Sequence, residues 1–424
     1  MYPAFAPLSS LFGYFMKNKQ SPTFARSFLA ALVFISMIGP LGMNIILPSL
    51  SAYQDVFNTD YASAQLTLTF YLAAIAVAQL IYGPVSDRLG RLPIIFFGLT
   101  LFMVGSVVSL MATSIEMLVF GRIIQAFGGC AGMVMARAMV RDRFDAENAA
   151  SLIAYMTMAI VVAPTLAPAL GGVLEDQFGW QGSFVFVLGF AVIVLGFVLA
   201  KLRETLPAER RHDVHFSVMF LAFFHLLRNP AFTGYALQVS FFTSAYFAFL
   251  GGSSFVMVDL MGLTASELGL IFVGVSVLYI LGNFFTARLA KKFGVPRLIL
   301  FGSLVSVAGA VLLLAWHMLY TLGPISFLVF MALIAFGNGF GISSGLAAAV
   351  GADPSRVGAA SGLAGALQIG FGALSTYVTG SLLAYYETTP TPLLLVILGC
   401  CVLGLLSFVV GRYKTARMSA LETY

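Results

Sequence analysis

Long apolar runs separated by short polar segments dominate the chain from residue 27 onward. Each run is close to the ~20 mainly apolar residues that a helix needs to cross a bilayer. The pattern predicts twelve transmembrane helices. The runs fall at about 27–50, 62–83, 93–114, 116–139, 149–174, 180–201, 229–254, 264–288, 296–316, 322–348, 355–380 and 390–412.

Two polar tetrapeptides mark where helices begin. Thr113-Ser-Ile-Glu116 and Thr264-Ala-Ser-Glu267 are capping-box patterns, in which the Thr and Glu side chains bond backbone N–H groups of the first turn. They predict the starts of the fourth and eighth helices.

Composition supports a membrane protein. Of 424 residues, 60% are apolar and 9% are charged, whereas a soluble domain is typically ~45–50% apolar and ~25% charged. So little polar cover argues against a soluble enzyme, a nucleic-acid binder and a disordered chain. The three cysteines, Cys130, Cys400 and Cys401, lie inside apolar runs and are interpreted as core residues.

The charged residues predict the orientation of these helices. Twenty-one of the 22 Lys and Arg residues lie in alternate segments, whereas the other six loops hold no basic residue and eight acids. Because positive charge stays on the cytoplasmic side, both termini are predicted to be cytoplasmic. The eight acids are Asp55, Asp60, Glu116, Glu175, Asp176, Asp259, Glu267 and Glu387.

The chain divides into two similar halves. The longest hydrophilic stretch, at about 202–228, is predicted to be a cytoplasmic linker between six-helix bundles at 1–201 and 229–424. A basic turn at 83–91 follows the second helix, and a similar turn at 282–294 follows the eighth. Two such halves with a midplane site between them are typical of major facilitator transporters.

The turn after the second helix carries a more specific resemblance. Its sequence, Gly-Pro-Val-Ser-Asp-Arg-Leu-Gly-Arg, resembles the signature loop of the major facilitator superfamily, which in that family latches the cytoplasmic side. The resemblance assigns a conformational latch to Gly83, Asp87, Arg88, Gly90 and Arg91. Asp87 and Arg88 lie at a helix end, where they are expected to pair and to interact with helix dipoles. An ordinary positive-inside turn is the alternative.

The fifth apolar run holds Ala-Pro-Thr-Leu-Ala-Pro-Ala-Leu-Gly-Gly, which resembles the antiporter motif of drug exporters. Prolines bend a helix, and small residues allow close helix packing. The resemblance implies export and assigns the motif to Pro164, Pro168, Gly171 and Gly172. A kinked packing helix, or an importer, remains the alternative.

The chain as a whole resembles the bicyclomycin- and chloramphenicol-resistance (Bcr/CflA) branch of twelve-helix drug:proton antiporters. This branch usually carries an Asp in the first helix just before Leu-Pro, but this sequence has Asn44 there. An amide cannot bind and release a proton as a carboxylate can. No acid lies at a helix centre, so proton coupling would require Asp87, Glu175, Asp176 or Asp259, or else Arg122 acting through water.

Arg122 is the one basic residue deep in an apolar run. An arginine at membrane depth costs ~2.5–3.5 kcal/mol on insertion scales, so it normally pairs or lines a cavity. Family resemblance places the substrate cavity between helices one, four, seven and ten. The predicted cavity residues are Asn44, Arg122, Gln125, Met133, Gln238, Phe242, Thr243, Tyr246, Asn338 and Ser343. For each aromatic residue, packing or lipid contact is the alternative.

These observations predict a monomeric secondary transporter of the bacterial inner membrane that exports small amphiphilic compounds, and not an enzyme. A proton gradient is the expected energy source, with no cofactor and no nucleic-acid partner. No phosphate-binding Gly-Lys-Ser/Thr loop supports ATP-driven transport. His212, His215 and His225 have no acidic or Cys cluster beside them, so no metal site is predicted. A metabolite exporter, such as one for a siderophore, an uncoupled facilitator and a non-transport membrane protein are the alternatives.

Overall fold

Twelve long helices make up most of the computed structural model, which describes residues 22–144, 146–211 and 216–422. Within these ranges there is no strand. The twelve helices are α1 (Pro22–Asn44), α2 (Tyr61–Leu89), α3 (Arg91–Leu110), α4 (Ile115–Arg143), α5 (Ala146–Phe178), α6 (Gln181–Lys201), α7 (Pro230–Ser254), α8 (Ala265–Phe293), α9 (Val295–Leu319), α10 (Pro324–Gly351), α11 (Val357–Tyr385) and α12 (Thr391–Glu422).

These helices confirm the predicted all-α membrane fold. Among the described residues, eleven are long and apolar enough to span a bilayer. The remaining one, α5, has 33 residues, of which several side chains lie outside the described part of the chain. Several helices extend beyond the predicted apolar runs. At 1.5 Å per residue, the 29 residues of α4 measure about 43 Å, longer than the ~30 Å hydrocarbon core.

The bundle has two chemically different ends. Successive helices alternate in direction, so α1 begins and α12 finishes at the same end. We call this the basic end because it carries the Lys- and Arg-containing connections, and we call the opposite end the acidic end. The N-terminal basic residues Lys17 and Lys19 lie outside the described residues, as do His212, Asp213 and His215 of the central connection.

Large apolar side chains face outward on α3, α6, α9 and α12. Phe97, Ile193 and Leu304 are between 52% and 63% exposed, a degree of exposure that a soluble surface rarely sustains over a whole belt. Of the described spans, α1 and α7 are the most deeply buried.

A repeated polar contact relates the two halves. In the first half, Gln125 of α4 donates from Nε2 to Ser106 Oγ of α3 at 2.8 Å. In the second half, Ser306 Oγ of α9 donates to Asn338 Oδ1 of α10 at 3.1 Å. Equivalent helices thus use the same hydroxyl–amide pairing, as expected of two copies of one packing pattern.

The connection at 202–228 differs from the hydrophilic linker that was predicted, because it contains the helix Phe216–Arg228. Phe223 and Leu226 of this helix pack with Phe232 of α7 and Leu363 of α11. At 13 residues the helix is about 20 Å long, too short to span a bilayer. Its other face exposes four apolar side chains, Phe220, Leu221, Phe224 and Leu227.

Candidate functional site

The two halves meet through Gly172 of α5 at the acidic end. A Cβ on Gly172 would lie 2.7 Å from the carbonyl carbon of Ala265 and 2.8 Å from Ser266 Cα, both in the first turn of α8. A Cβ on Gly171 would instead collide with Ile45, which follows α1 in the same half. The predicted antiporter motif therefore brings α5 close to both its own half and the opposite one.

Hydrogen bonds between neutral groups close this end further. Ser51 and Ser254 join their hydroxyls at 2.9 Å, and the Thr69 and Thr376 hydroxyls join at 2.8 Å. Tyr61 donates to the Gly251 carbonyl oxygen. We call these contacts between the halves, together with the packing of α5 on α8, the acidic-end seal.

Two carboxylates also accept hydrogen bonds across the seal. Gln54 Nε2 donates to Asp259 at 2.8 Å, and the backbone N–H of Ser266 donates to Asp176 at 3.2 Å. In the part of the chain that the structure describes, the hydrogen bonds between the halves all lie at the acidic end. The seal is thus built from hydrogen bonds, and none of the described ion pairs crosses it.

Gln65 occupies the centre of the seal. Its side chain lies against Gly251 of α7 and Gly380 of α11, where any Cβ would clash with it. The residue is 1% exposed, and neither amide atom has a hydrogen-bond partner among the described residues. An unpaired buried amide is costly, ~1–3 kcal/mol, so this position is held by the packing around it.

Arg122 lies in the interior of the first half, fully buried. Its Nη1 donates to the Gly42 carbonyl at 2.8 Å and also to Gln125, and its guanidinium stacks 4.0 Å from the centre of the Tyr71 ring. Within the described chain it has no ion pair, and Nε and Nη2 have no hydrogen-bond partner. The structure therefore places this cation among carbonyls and rings at the closed end.

The other predicted cavity residues fall into two groups. The fully or nearly fully buried ones bond within their own half: Asn44 donates to Pro40, Gln238 to Gly341, Asn338 to Phe242, and Thr243 accepts from Gln368. Phe242 is buried against Gly404 of α12. Met133, Tyr246 and Ser343 are the half-exposed ones.

The second half presents a wall that combines the predicted Thr243 and Tyr246 with residues that the sequence did not single out. Gln368 Nε2 of α11 donates to Thr243 of α7 at 2.9 Å, and the Phe241 and Phe371 rings meet edge-on at 5.3 Å. Asn283 of α8 is half-buried and bonds the Tyr279 carbonyl. These neutral polar and aromatic groups, next to half-exposed Tyr246, resemble the lining of a site for amphiphilic ligands.

The signature loop forms a charge cluster at the basic end. Arg91 binds Asp87 at 2.6 Å and Asp142 at 2.9 Å. The sequence predicted that Asp87 would pair with Arg88, but Asp87 pairs instead with Arg91. Adjacent side chains on a helix point in different directions, which keeps Asp87 and Arg88 apart. Gly83 has open space around it, and Arg88 has an interaction of its own.

Glu204 holds this loop from the linker side. Burial alone would raise the pKa of Glu204, but the N–H groups of Leu206, Arg91, Leu92 and Thr205 donate to it and hold it below its usual value. Two of these donors belong to the first turn of α3, where N–H groups otherwise lack partners. Gly90, at φ 102°, leaves room for the carboxylate.

Comparison with known proteins places these features in context. The family model described as Major Facilitator Superfamily matches residues 32–264. The chain is 30% identical over 385 residues to the uncharacterized MFS-type transporter YdgK of Bacillus subtilis, covering 89% of this chain and 93% of that protein. It is 27% identical over 400 residues to the bicyclomycin resistance protein homolog of Haemophilus influenzae, covering 92% and 97%. In fold it is similar to the solved D-xylose-proton symporter, with a TM-score of 0.72, 16% identity and coverage of 92% and 97%.

Proposed function

Because this chain belongs to the Major Facilitator Superfamily, we propose that it exports small amphiphilic compounds by alternating access, in exchange for protons. The observation that carries the export proposal is its similarity, over nearly its full length, to a protein named for bicyclomycin resistance. Relatives named multidrug resistance protein D of Escherichia coli and chloramphenicol resistance protein of Pseudomonas aeruginosa support the same direction of transport.

The proposed location is the cytoplasmic membrane of a bacterium, with both termini in the cytoplasm. The charge asymmetry supports this orientation, because Lys and Arg collect at the basic end and are rare at the acidic end. The acidic-end seal then faces the periplasm, and the substrate reaches the site from the cytoplasm. The proposed partners are an amphiphilic substrate and the lipid bilayer, and the proposed working unit is a monomer without a cofactor.

Proton exchange is proposed to use carboxylates at the seal. Asp259 and Asp176 accept hydrogen bonds across the seal from Gln54 and Ser266, whereas Glu175 beside them accepts one from Ser49 within the first half. Protonating such an acceptor weakens its charge-assisted bonds and favours separation of the halves. One proton moving through ~100 mV supplies ~2.3 kcal/mol.

Uncoupled transport has one observation in its favour, the amide of Asn44 where related antiporters carry an acid. Proteoliposomes with and without an imposed pH gradient separate the two candidates. Under the proposal, the gradient drives accumulation of substrate. Equal movement in both preparations would establish an uncoupled facilitator.

A reversible cross-link tests alternating access directly. The Ser51 and Ser254 hydroxyls are 2.9 Å apart, so cysteines at both positions are expected to form a disulfide across the seal. In a strain without its own drug pumps, oxidation of this double variant should stop efflux of toxic amphiphiles, and a reductant should restore it. The two single-cysteine variants serve as controls. Undiminished efflux after complete cross-linking would refute alternating access at this seal.

A further inference from the structure

Two arginines near the basic end of α4 stand apart from the rest of the helix. Arg137 and Arg141 are exposed and are one helical turn apart. In the described part of the chain, neither guanidinium group has a hydrogen bond or an ion pair. Two other arginines at this end do have carboxylate partners, since Arg91 binds Asp142 and Arg356 binds Asp353 at 2.7 Å.

The partners of α4 show which way Arg137 faces. Gly129 and Gly132 touch α1 at Gly39 and Ile35, whereas Cys130 donates to the Ile75 carbonyl of α2. At 100° per residue, Arg137 lies in the sector between these two contacts, on the same side as Met133.

That sector faces the second half of the molecule. α2 contacts α11 through Thr69 and Thr376, and Ser51, beyond the end of α1, contacts Ser254 of α7. The side of α4 that lies between α1 and α2 is therefore turned toward α7 and α11. Since the seal closes the acidic end, the exposed arginine is reached from the basic end.

Placing two like charges at i and i+4 on a helix surface costs stability. The local acid cannot relieve this repulsion, because Asp142 is committed to Arg91 and to the Thr205 hydroxyl at 3.1 Å. A pair of guanidinium groups that lacks a carboxylate offers planar N–H donors to an external anion.

The opposite wall supplies no described competing charge. Its polar groups near α7 are the Gln368 amide, the Thr243 hydroxyl and the Asn283 amide, and Asn44 of α1 is likewise neutral. A positive mouth with neutral walls concentrates anions and disfavours cations. Building on the proposed export function, we propose that Arg137 and Arg141 capture the anionic group of the substrate, so that the exported amphiphiles carry a carboxylate, sulfonate or phosphate.

Three probes with one ring system test this assignment. Inside-out vesicles are energised, and uptake of pyrenebutyrate, its neutral methyl ester and cationic pyrenebutylamine is measured. The double variant Arg137→Gln/Arg141→Gln should raise the half-saturating concentration for pyrenebutyrate about fivefold to tenfold, and high salt should produce a similar rise in the unaltered protein. The ester should change less than twofold.

Two variants control for structure. Arg137→Lys/Arg141→Lys keeps the charges and should preserve most of the preference for pyrenebutyrate. Arg412→Gln removes an exposed arginine from the basic end of α12 and should change nothing. An equal loss of all three probes in the double Gln variant would mean a structural role and would overturn the inference.

The remaining outcomes separate this inference from the function on which it rests. If the unaltered protein moves none of the probes, both proposals fail. If it moves the ester and the amine but not pyrenebutyrate, export stands and anion capture is refuted. Vesicles of phosphatidylcholine with and without phosphatidylglycerol complete the test. Arginine dependence found only with the anionic lipid would assign these groups to a lipid headgroup and would overturn the substrate assignment.

Discussion

Replacing Gly172 by alanine should weaken the acidic-end seal without disturbing the interior of either half. The added methyl group would point from α5 of the first half into the first turn of α8 in the second. It would lie 2.7 Å from the carbonyl carbon of Ala265 and 2.8 Å from Ser266 Cα. These neighbours are backbone atoms of a helix, so no flexible side chain can move aside.

The size of the effect follows from the overlap. Carbon atoms pack best at ~3.5–4.0 Å, so α5 and α8 must separate by about 0.8 Å or more. Overpacking of this kind typically costs ~1–3 kcal/mol. Because the strain exists only while the halves touch, it acts on the equilibrium between sealed and open states and should shift it about 5- to 150-fold.

Alkylation of a cysteine inside the seal measures this shift. Ser254 is fully buried in the sealed state, so Ser254→Cys should react slowly with a membrane-impermeant maleimide added to whole cells. Adding Gly172→Ala should accelerate labelling at least fivefold. Efflux should slow as well, because a smaller fraction of the protein accepts substrate from the cytoplasm.

Two alanine substitutions control for nonspecific damage. Gly171→Ala would clash with Ile45 in its own half, so it should reduce thermal stability while leaving the labelling rate nearly unchanged. Gly196→Ala has open space around its Cβ and should have no effect. Unaltered labelling of the Gly172→Ala protein, or equal acceleration by Gly196→Ala, would refute the reasoning.

Three further substitutions probe the interior and the basic end. Arg122→Ala should abolish efflux while the protein remains in the membrane, because it removes the buried cation that joins Gly42, Gln125 and Tyr71 in the interior of the first half. Efflux with a normal membrane level on immunoblots would exclude a role for this residue. Asp142→Asn removes one of two carboxylates on Arg91 and should lower the melting temperature in detergent by a few degrees, which a fluorescence melt would detect. Glu204→Gln should also lower it. The folded pKa of Glu204 is depressed, so its contribution is present above the unfolded value of ~4.3 and is lost as pH falls through the folded value. The difference in melting temperature between the two proteins should therefore be larger at pH 7 than at pH 3.

Helix number and membrane character could be predicted because every helix that crosses a bilayer needs a run of ~20 mainly apolar residues. Local caps were predicted nearly as well. Thr264 and Glu267 form the expected capping box. At the fourth helix Ser114, and not Thr113, accepts the N–H bond from Met117, since adjacent Thr and Ser are both good caps and the sequence does not decide between them.

The candidate site was harder to predict because it depends on the rotation of each helix. Arg122 was expected at a cavity and is enclosed by Gly42, Gln125 and Tyr71. Arg137, counted only as a positive charge of a loop, lies on an exposed helical face. Hydropathy shows that a polar residue lies within a membrane span, but only the packed structure shows which neighbouring helix its side chain faces.

The helix Phe216–Arg228 was missed for a different reason. It lies between polar residues of the linker and is shorter than any membrane span, so a search for 20-residue runs passes over it. Its apolar spacing at Phe223 and Leu226 was the available signal, since these residues recur at the helical period and pack against the second half.

The hydrogen bonds of the acidic-end seal determine how much free energy is needed to open it in each transport cycle. Each hydrogen bond between neutral groups, such as Ser51 with Ser254 or Thr69 with Thr376, contributes only ~0.5–1.5 kcal/mol. A handful of such bonds holds one state in excess by a few kcal/mol, which is the range that a single proton at ~100 mV, about 2.3 kcal/mol, can reverse. Under the proposed proton exchange, one proton per cycle is therefore enough to open a closure built from these few bonds.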